Sequence, residues 1–289
     1  MKKHACRAYG KINLFLDIVG RREDGYHLLE TVFQSISLGD EVMISPGRGG
    51  EISLRSNLPY IPTDRRNIAY KAAEAFFAAA NMPNKGLYIN MRKNIPVGAG
   101  LGGSSTDGAA VLRLLNAACG EPLPEERLRE IAAELGADCP FCLMGGAALG
   151  GGVGDRLEPL PSMPPCTLVI CKPAFSVSAK SAYELYDAAP SVRAERGAED
   201  MEAALRSGSL SEICAGMFNA LEAVVAGKYP EIAEIKRELL RLGALGAMMT
   251  GSGSAVYGVF EKEDAAKEAA EALKQEKRRV YLAQPQTRD

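Results

Sequence analysis

The 289-residue sequence predicts an α+β protein built in two successive halves. Three observations carry that prediction. Segments with apolar residues at every second position crowd residues 11–93, the period of half-buried strands, and helical patterns follow them. Beyond residue 165 the patterns run strand-helix-strand-strand-helix-strand, with extra helices in the first crossover, which is the order of a split βαβ sandwich. Between the halves, PLPSMPP (159–165) is a proline-rich connector and the boundary candidate, dividing the chain into residues 1–160 and 161–289.

Taken in order, residues 11–19 place Ile12, Leu14, Leu16 and Ile18 on one strand face, with Phe15 and Val19 adding partial cover on the other. The polar stretch 20–27 is a turn leading to a second strand over 28–38. Residues 40–45 and 51–55 form a third and a fourth strand around a turn at 46–50. Helical spacing of Ile68, Ala72, Phe76 and Ala79 predicts a helix over 67–80. A strand over 87–93 delivers the chain to NIPVGAGLGGSSTDGAA (94–110), followed by a helix over 108–118 and an amphipathic helix over 125–135. Past the connector we expect a strand at 166–172 and helices at 179–186, 201–206, 210–225 and 231–242. Strands at 247–251 and 255–261, a helix at 264–276 and a strand at 279–283 complete the chain.

Composition narrows the function classes. With 47% hydrophobic residues and a mean hydropathy of −0.07 there is material for packed cores. A net charge of −2 gives no electrostatic case for nucleic acid or an anionic membrane surface. The first ten residues lack the apolar run of a signal peptide, and no stretch approaches the length of a membrane span. Seven cysteines in a chain of this length lack the density of a disulfide scaffold, so reduced thiols in a cytoplasmic protein are expected.

The rest of the chain is organised around residues 94–110. Gly98, Gly100, Gly102 and Gly103 let the backbone turn tightly and approach a ligand, and Ser104, Ser105 and Thr106 follow at a helix start. Unpaired N–H groups and the positive end of the helix dipole then face the loop, which makes an anion site suited to a nucleotide phosphate. A Walker A loop is excluded because no lysine follows any of these glycines. The dinucleotide fingerprint fails because Glu121 lies in a Gly-Glu-Pro turn and not at a strand end. A turn that merely caps a helix needs fewer glycines and hydroxyls than are present.

Phosphoryl transfer also requires charge neutralisation and a proton acceptor. Asp138, in Gly136-Ala-Asp-Cys-Pro140, is a candidate base at a helix break; capping the segment after Pro140 is the alternative. Lys11 opens an apolar strand, where an ammonium is costly unless paired with Asp138 or a phosphate; a strand-end lysine reaching water is the alternative. His27 is a candidate ligand-binding or merely solvated loop histidine. Zinc on His4, His27, Cys139 and Cys142 has only one C-x-x-C to support it, and Pro140 and Phe141 within it favour packing. Thr250-Gly-Ser-Gly-Ser254 is either an ordinary hairpin turn or, paired with the first loop, the second wall of one ligand cleft.

Three of these segments together resemble the GHMP kinases, the small-molecule kinases named after galactose, homoserine, mevalonate and phosphomevalonate. PVGAGLGGSS (96–105) resembles their phosphate loop, MTGSGS (249–254) their C-terminal glycine motif, and Lys11-Ile-Asn-Leu14 their opening strand. Residues 8–36, above all Asp24-Gly-Tyr-His27 and Glu30-Thr-Val-Phe-Gln34, resemble the branch that acts on cytidine-diphosphate-linked methylerythritol in non-mevalonate isoprenoid precursor synthesis. The resemblance runs over residues 8–283.

It implies a ribosomal-protein-S5-like N-terminal βα domain and a ferredoxin-like C-terminal domain, with ATP-dependent phosphorylation of the 2-hydroxyl of the CDP-linked alcohol. A homoserine or sugar kinase is one alternative, and a catalytically silent nucleotide-binding regulator another. By position, Lys11 and Asp138 are the implied catalytic pair. Pro96, Gly98, Ala99, Gly100, Leu101, Gly102, Gly103, Ser104, Ser105 and Thr106 take the ATP phosphates, and Asn67 and Lys93 lie on the nucleotide side. Asn13 is implied to contact the methylerythritol, Tyr26 and Tyr183 to sandwich the cytosine beside His27, and Thr250, Gly251 and Ser252 to line the substrate. Magnesium is expected to ride mainly on the ATP phosphates without a dedicated protein site. The expected partners are small molecules alone, for a monomer or weak homodimer.

Two departures from the family pattern matter. The hydroxyl run comes one place early, which leaves open which of Ser104, Ser105 and Thr106 faces the phosphates. Cys139 stands where an aliphatic residue is usual, consistent with a buried, packed C-x-x-C pair.

Overall fold

The computed structural model describes residues 2–189, 193–274 and 276–288. The chain forms two compact units that interleave along the sequence. One comprises Met1–Gly10, Gly39–Ile95 and Gly102–Met144; the other comprises Lys11–Leu38, Pro96–Leu101 and Gly145–Asp289.

Two long strands, β1 (His4–Arg21) and β2 (His27–Pro46), contribute residues to both units. In the first unit they are followed by β3 (Ile52–Ser56), α1 (Ile68–Ala79), β4 (Leu87–Arg92), α2 (Gly103–Ala118), α3 (Glu125–Leu135) and α4 (Cys139–Met144). Here β4 lies between β2, antiparallel with Ile44 opposite Ile89, and β3, parallel with Leu54 opposite Ile89. Their inward residues Val42, Ile44, Ile89 and Met91 pack with Ala69, Ala72 and Phe76 of α1, Ala109 and Leu112 of α2, and Leu128 and Ile131 of α3. Gly108 sits inside α2 because a Cβ there would stand 2.6 Å from the Ile68 side chain; its absence lets α1 close on α2.

In the second unit β5 (Ala147–Gly151) pairs antiparallel with residues 31–34 of β2 and with β6 (Arg156–Leu160). The chain continues through β7 (Thr167–Lys172), α5 (Ala179–Asp187), α6 (Ala198–Ser207), α7 (Leu210–Ala215), β8 (Phe218–Asn219), α8 (Ala220–Lys228) and α9 (Glu231–Arg241). It ends with β9 (Gly246–Met249), β10 (Val256–Phe260), α10 (Glu263–Leu273) and β11 (Arg279–Ala283). The last sheet has the order β11-β7-β10-β9 with every pairing antiparallel, as the split βαβ pattern requires. Val169, Cys171, Met249, Val256, Ile232, Ile235, Leu239 and Leu273 lie in its core.

Several expected boundaries differ. The second and third strands are one, since β2 runs without a break through Gly39 and Asp40. Gly39 is there because a Cβ would stand 2.8 Å from the Ala8 carbonyl, and Asp40 is fully buried against partners distant in sequence. The helix after the glycine loop starts at Gly103, not 108. The single helix expected over 210–225 is α7 and α8, parted at β8, because Asn219 caps α8 while its amide reaches Met249 and Gly251. The connector is partly strand, as β6, and the α4 and β5 segments were unforeseen.

Candidate active site

In the second unit the two glycine motifs dock on each other. Ala255 N donates to the Ala99 carbonyl at 3.2 Å and Ser254 N to the Gly98 carbonyl at 3.4 Å. Thr250 Oγ1 lies 3.4 Å from the Gly100 carbonyl. The approach is so close that a Cβ on Gly100 (φ +76°) would stand 2.1 Å from the Thr250 carbonyl oxygen, and only glycine fits. Residues 250–254 are thus both the turn between the paired strands β9 and β10 and a docking partner of the first glycine loop.

Lys11 and Asn13 join this junction from β1. Successive same-face residues of a strand are two apart, so both side chains emerge together. Lys11 is buried, its N–H bonds the Leu101 carbonyl at 3.0 Å, and its Nζ donates to Asn13 Oδ1 at 2.8 Å. The ammonium also lies 5.3 Å from the Phe33 ring centroid, a cation–π contact. It is therefore no strand-end lysine reaching water. Asn13 in turn donates through Nδ2 to Thr31 Oγ1 at 2.8 Å, while its N–H reaches Thr250 Oγ1 at 3.2 Å. A Cβ on Gly251 would stand 3.3 Å from Lys11 Nζ and 3.1 Å from the Gly100 carbonyl, so the lysine head faces both glycine turns.

A second buried lysine, unforeseen from the sequence, braces the same loop. Lys172, at the end of β7, donates to the carbonyls of Pro173 at 2.9 Å and Phe175, and Ser254 Oγ also donates to Phe175 O at 2.7 Å. Ser176 Oγ donates to the Val97 carbonyl at 3.3 Å. Burial, with help from Arg279, lowers the Lys172 pKa.

The aromatic corner is also in this unit. His27 stacks on Tyr183 with ring centroids 4.6 Å apart and planes 12° from parallel, and meets Tyr186 edge-on. Its Nε2 lies 2.7 Å from Asp187 Oδ1. His27 is thus fixed and not a solvated loop residue, and it takes one face of Tyr183. Tyr26 remains 66% exposed. Ser252 is half-buried in the second glycine turn.

In the first unit, α2 begins after Gly102, and no side chain caps its first N–H groups, as an anion site needs. The three hydroxyls part company there. Thr106 is buried and its hydroxyl donates to the Tyr9 carbonyl at 2.6 Å, which spends it inside the fold. Burial pushes the Cys139 thiol pKa up to about 12, an effect that the neighbouring Ser105 hydroxyl opposes. Ser104 is exposed. Asp138 is half-buried immediately before α4, where its carbonyl accepts the Cys142 N–H at 3.0 Å. Cys139 and Cys142 are buried and reduced.

The two residues expected on the nucleotide side are both engaged within the fold. Lys93 is almost wholly buried, and its Nζ donates to Asp40, to Asp107 at 2.5 Å and to the Gly103 carbonyl at 3.1 Å. Its three protons are taken, so it holds the loop ends and offers none outward. Asp40 completes the clamp by accepting the N–H groups of Asn94 at 2.5 Å and Ile95 at 2.8 Å. Burial alone disfavours the Lys93 charge, but Asp107 and Asp40 outweigh it and its pKa rises. Burial raises the Asp107 pKa to about 7, opposed by Lys93 and reinforced by Asp40; Asp107 Oδ1 has no hydrogen-bond partner among the described residues. Asn67 likewise works locally, capping α1 through Ala69 N and donating to the Pro62 carbonyl at 2.8 Å. Among the described residues no group of three or more His, Cys, Asp or Glu is disposed to hold a metal.

A glycine loop locked to a second glycine turn beside a buried lysine in one unit, and a glycine-led uncapped helix start in the other, are each phosphate-handling features, and comparison with known proteins gives the class. The model of the GHMP kinases N terminal domain matches residues 67–146 and that of the GHMP kinases C terminal matches residues 201–279. A solved homoserine kinase from Cytophaga hutchinsonii shares the fold at a TM-score of 0.78 and 20% identity, covering 99% of this chain and 96% of its own. At higher similarity stands the 4-diphosphocytidyl-2-C-methyl-D-erythritol kinase of Clostridium botulinum (strain Eklund 17B / Type B), 41% identical over 276 residues, 96% of this chain and 98% of that one. A crystal structure of 4-(cytidine 5'-diphospho)-2C-methyl-D-erythritol kinase superposes with a TM-score of 0.80 at 37% identity, covering 98% and 99% of the two chains. The chain belongs to the 4-diphosphocytidyl-2-C-methyl-D-erythritol kinase family of GHMP kinases.

Proposed function

We propose that the protein transfers the γ-phosphoryl group of ATP to the 2-hydroxyl of 4-diphosphocytidyl-2-C-methyl-D-erythritol, in the non-mevalonate route to isoprenoid precursors. The observation that carries this is the full-length similarity to kinases of that name. The docked glycine motifs and buried Lys11 support the chemistry.

The triphosphate lies along residues 96–105, with Ser104 the hydroxyl still open to it and the N–H groups of the α2 start neutralising charge. Asp138 accepts the proton of the attacking hydroxyl, and Lys11, held by Asn13, stabilises charge on the transferring phosphoryl. Asn13, Thr250, Gly251 and Ser252 line the alcohol, and Tyr26, His27 and Tyr183 hold the base. Magnesium supplies charge neutralisation on the phosphates. The oxygen donors present, Asp138 and Ser104, suit so hard a cation, which keeps most of its shell as water and phosphate oxygen.

The protein works in the cytoplasm as a monomer or weak homodimer on small molecules alone. No helix among the described residues is long and apolar enough to cross a membrane. We propose residues 1–160 and 161–289 as the domains, supported by one family model on each side of the connector.

Purified protein with ATP, magnesium and the CDP-linked alcohol should release ADP, and mevalonate and homoserine should not substitute. Asp138→Ala should lower kcat by about two orders of magnitude or more while ATP still binds. Turnover of homoserine with none on the CDP compound refutes the substrate, and an unchanged Asp138→Ala rate refutes the proton acceptor.

A further inference from the structure

A carboxylate stands behind His27. Asp187 ends α5 and His27 opens β2, 160 residues apart, yet Asp187 Oδ1 lies 2.7 Å from His27 Nε2. We propose that Asp187 is a positioning residue that fixes the tautomer of His27 and thereby selects a pyrimidine bearing an amino group at C4. The proposal rests on the reading that residues 26–27 hold the base.

A carboxylate only accepts hydrogen bonds, so the proton of a neutral imidazole must sit on Nε2. Nδ1 is then a bare lone pair, and no hydrogen bond to it is seen among the described residues. The ring cannot readily turn to exchange its nitrogens. It is stacked on Tyr183 at 4.6 Å, flanked edge-on by Tyr186 at 6.2 Å, and its side chain is 10% exposed. Asp187 is itself anchored, because Arg21 lies 3.5 Å from its other oxygen. The structure thus offers the ligand one oriented acceptor. The C4 amino group of cytosine donates to such an atom, whereas the C4 carbonyl of uracil presents a second lone pair and is repelled. Desolvated polar groups left unmatched are what gives hydrogen-bonding sites their selectivity. The device needs three elements at once: an acceptor on α5, a ring on β2 and an aromatic floor.

Two measurements test it. The chain has two histidines, so ¹⁵N NMR of the full-length protein, with His4→Gln for assignment, reads the His27 tautomer directly. The wild type should show a protonated Nε2 and a bare Nδ1 at pH 8, and Asp187→Ala should show a mixture. In steady-state assays Asp187→Ala should raise KM for the CDP-linked alcohol about tenfold and lower its preference over the UDP-linked analogue by a similar factor. Both kcat and the KM for ATP should stay within about twofold, and Asp187→Glu should restore part of the preference. A wild-type Nδ1–H tautomer overturns the proposal. So does an Asp187→Ala enzyme whose KM rises equally for the cytidine and uridine compounds, or whose preference is unaltered. If the wild type turns over neither compound, the functional reading fails first, while the NMR arm still decides the tautomer.

Discussion

Replacing Gly100 by alanine tests the junction of the two glycine motifs more sharply than any change of a charged group. The added Cβ would stand 2.1 Å from the Thr250 carbonyl oxygen and 3.1 Å from Gly253 N, so the two turns must part by more than 1 Å to reach ordinary contact. Separation forfeits the hydrogen bonds from Ala255 to Ala99 and from Ser254 to Gly98, and the Thr250 Oγ1 contact with Gly100. Each contributes at most about 1 kcal/mol. A left-handed φ of +76° costs alanine a further 1–2 kcal/mol, roughly. The strain falls on stability, whereas the three contacts together amount to at most about 3 kcal/mol, which lost from the transition state lowers kcat/KM by up to about two orders of magnitude. Gly120→Ala is the control. Its φ is +81° with nothing within 4 Å of the new Cβ, so it carries the backbone strain without the clash. Steady-state ADP release alongside thermal melts separates the two effects. Gly100→Ala should lose activity out of proportion to any loss of Tm, and Gly120→Ala should keep full activity with a Tm a few degrees lower. A Gly100→Ala enzyme within threefold of wild type refutes the reasoning.

Asp40 and Asp107 share one lysine but should respond oppositely to neutral replacement. Asp40→Asn weakens the acceptor for two loop N–H groups and for Lys93, and should cost about 3–5 kcal/mol in urea unfolding; a cost below 1 kcal/mol contradicts the clamp. Asp107→Asn mimics the form favoured in the fold. The Asp107 pKa rises from its ordinary 3.8 to about 7, so its contribution to stability is fully present below pH 4 and is lost as pH rises through 7. The stability difference between wild type and Asp107→Asn should therefore shift against wild type from pH 4 to pH 7, and a difference independent of pH contradicts the assignment. Lys172→Met removes the donor to Pro173 and Phe175 while filling the same apolar space, and should raise KM for ATP severalfold with little loss of Tm; an unaltered ATP KM shows that the brace does not reach the phosphates.

What the sequence made legible was local, and what it hid was long-range. The glycine loop, Lys11 and the 250–254 turn carry their chemistry in short motifs, so their roles as one assembly could be foreseen from composition and resemblance. The split βαβ order of the second half was legible because each strand and helix shows its own period. Lys93 was legible as a residue but not as a clamp, because its partners lie 53 positions before it and 14 after it. No pattern marks Asp40 as buried, and an aspartate beside a glycine reads as a turn. Asp187 at a helix end and Asn219 between two helices carry no local signal, and each acquires its partner only when the chain folds back. Thr106 shows the converse. Its motif position points to a phosphate, and the Tyr9 carbonyl takes it instead.

The chemical identity of the product tests the central claim most directly. Incubation with ATP, magnesium and CDP-linked methylerythritol carrying ¹³C at C2, followed by ¹³C and ³¹P NMR, reports where the new phosphate sits. A new phosphomonoester coupled to C2, formed in step with ADP, is the predicted result. A phosphate on another carbon, or ATP left intact beside unaltered alcohol, contradicts the account.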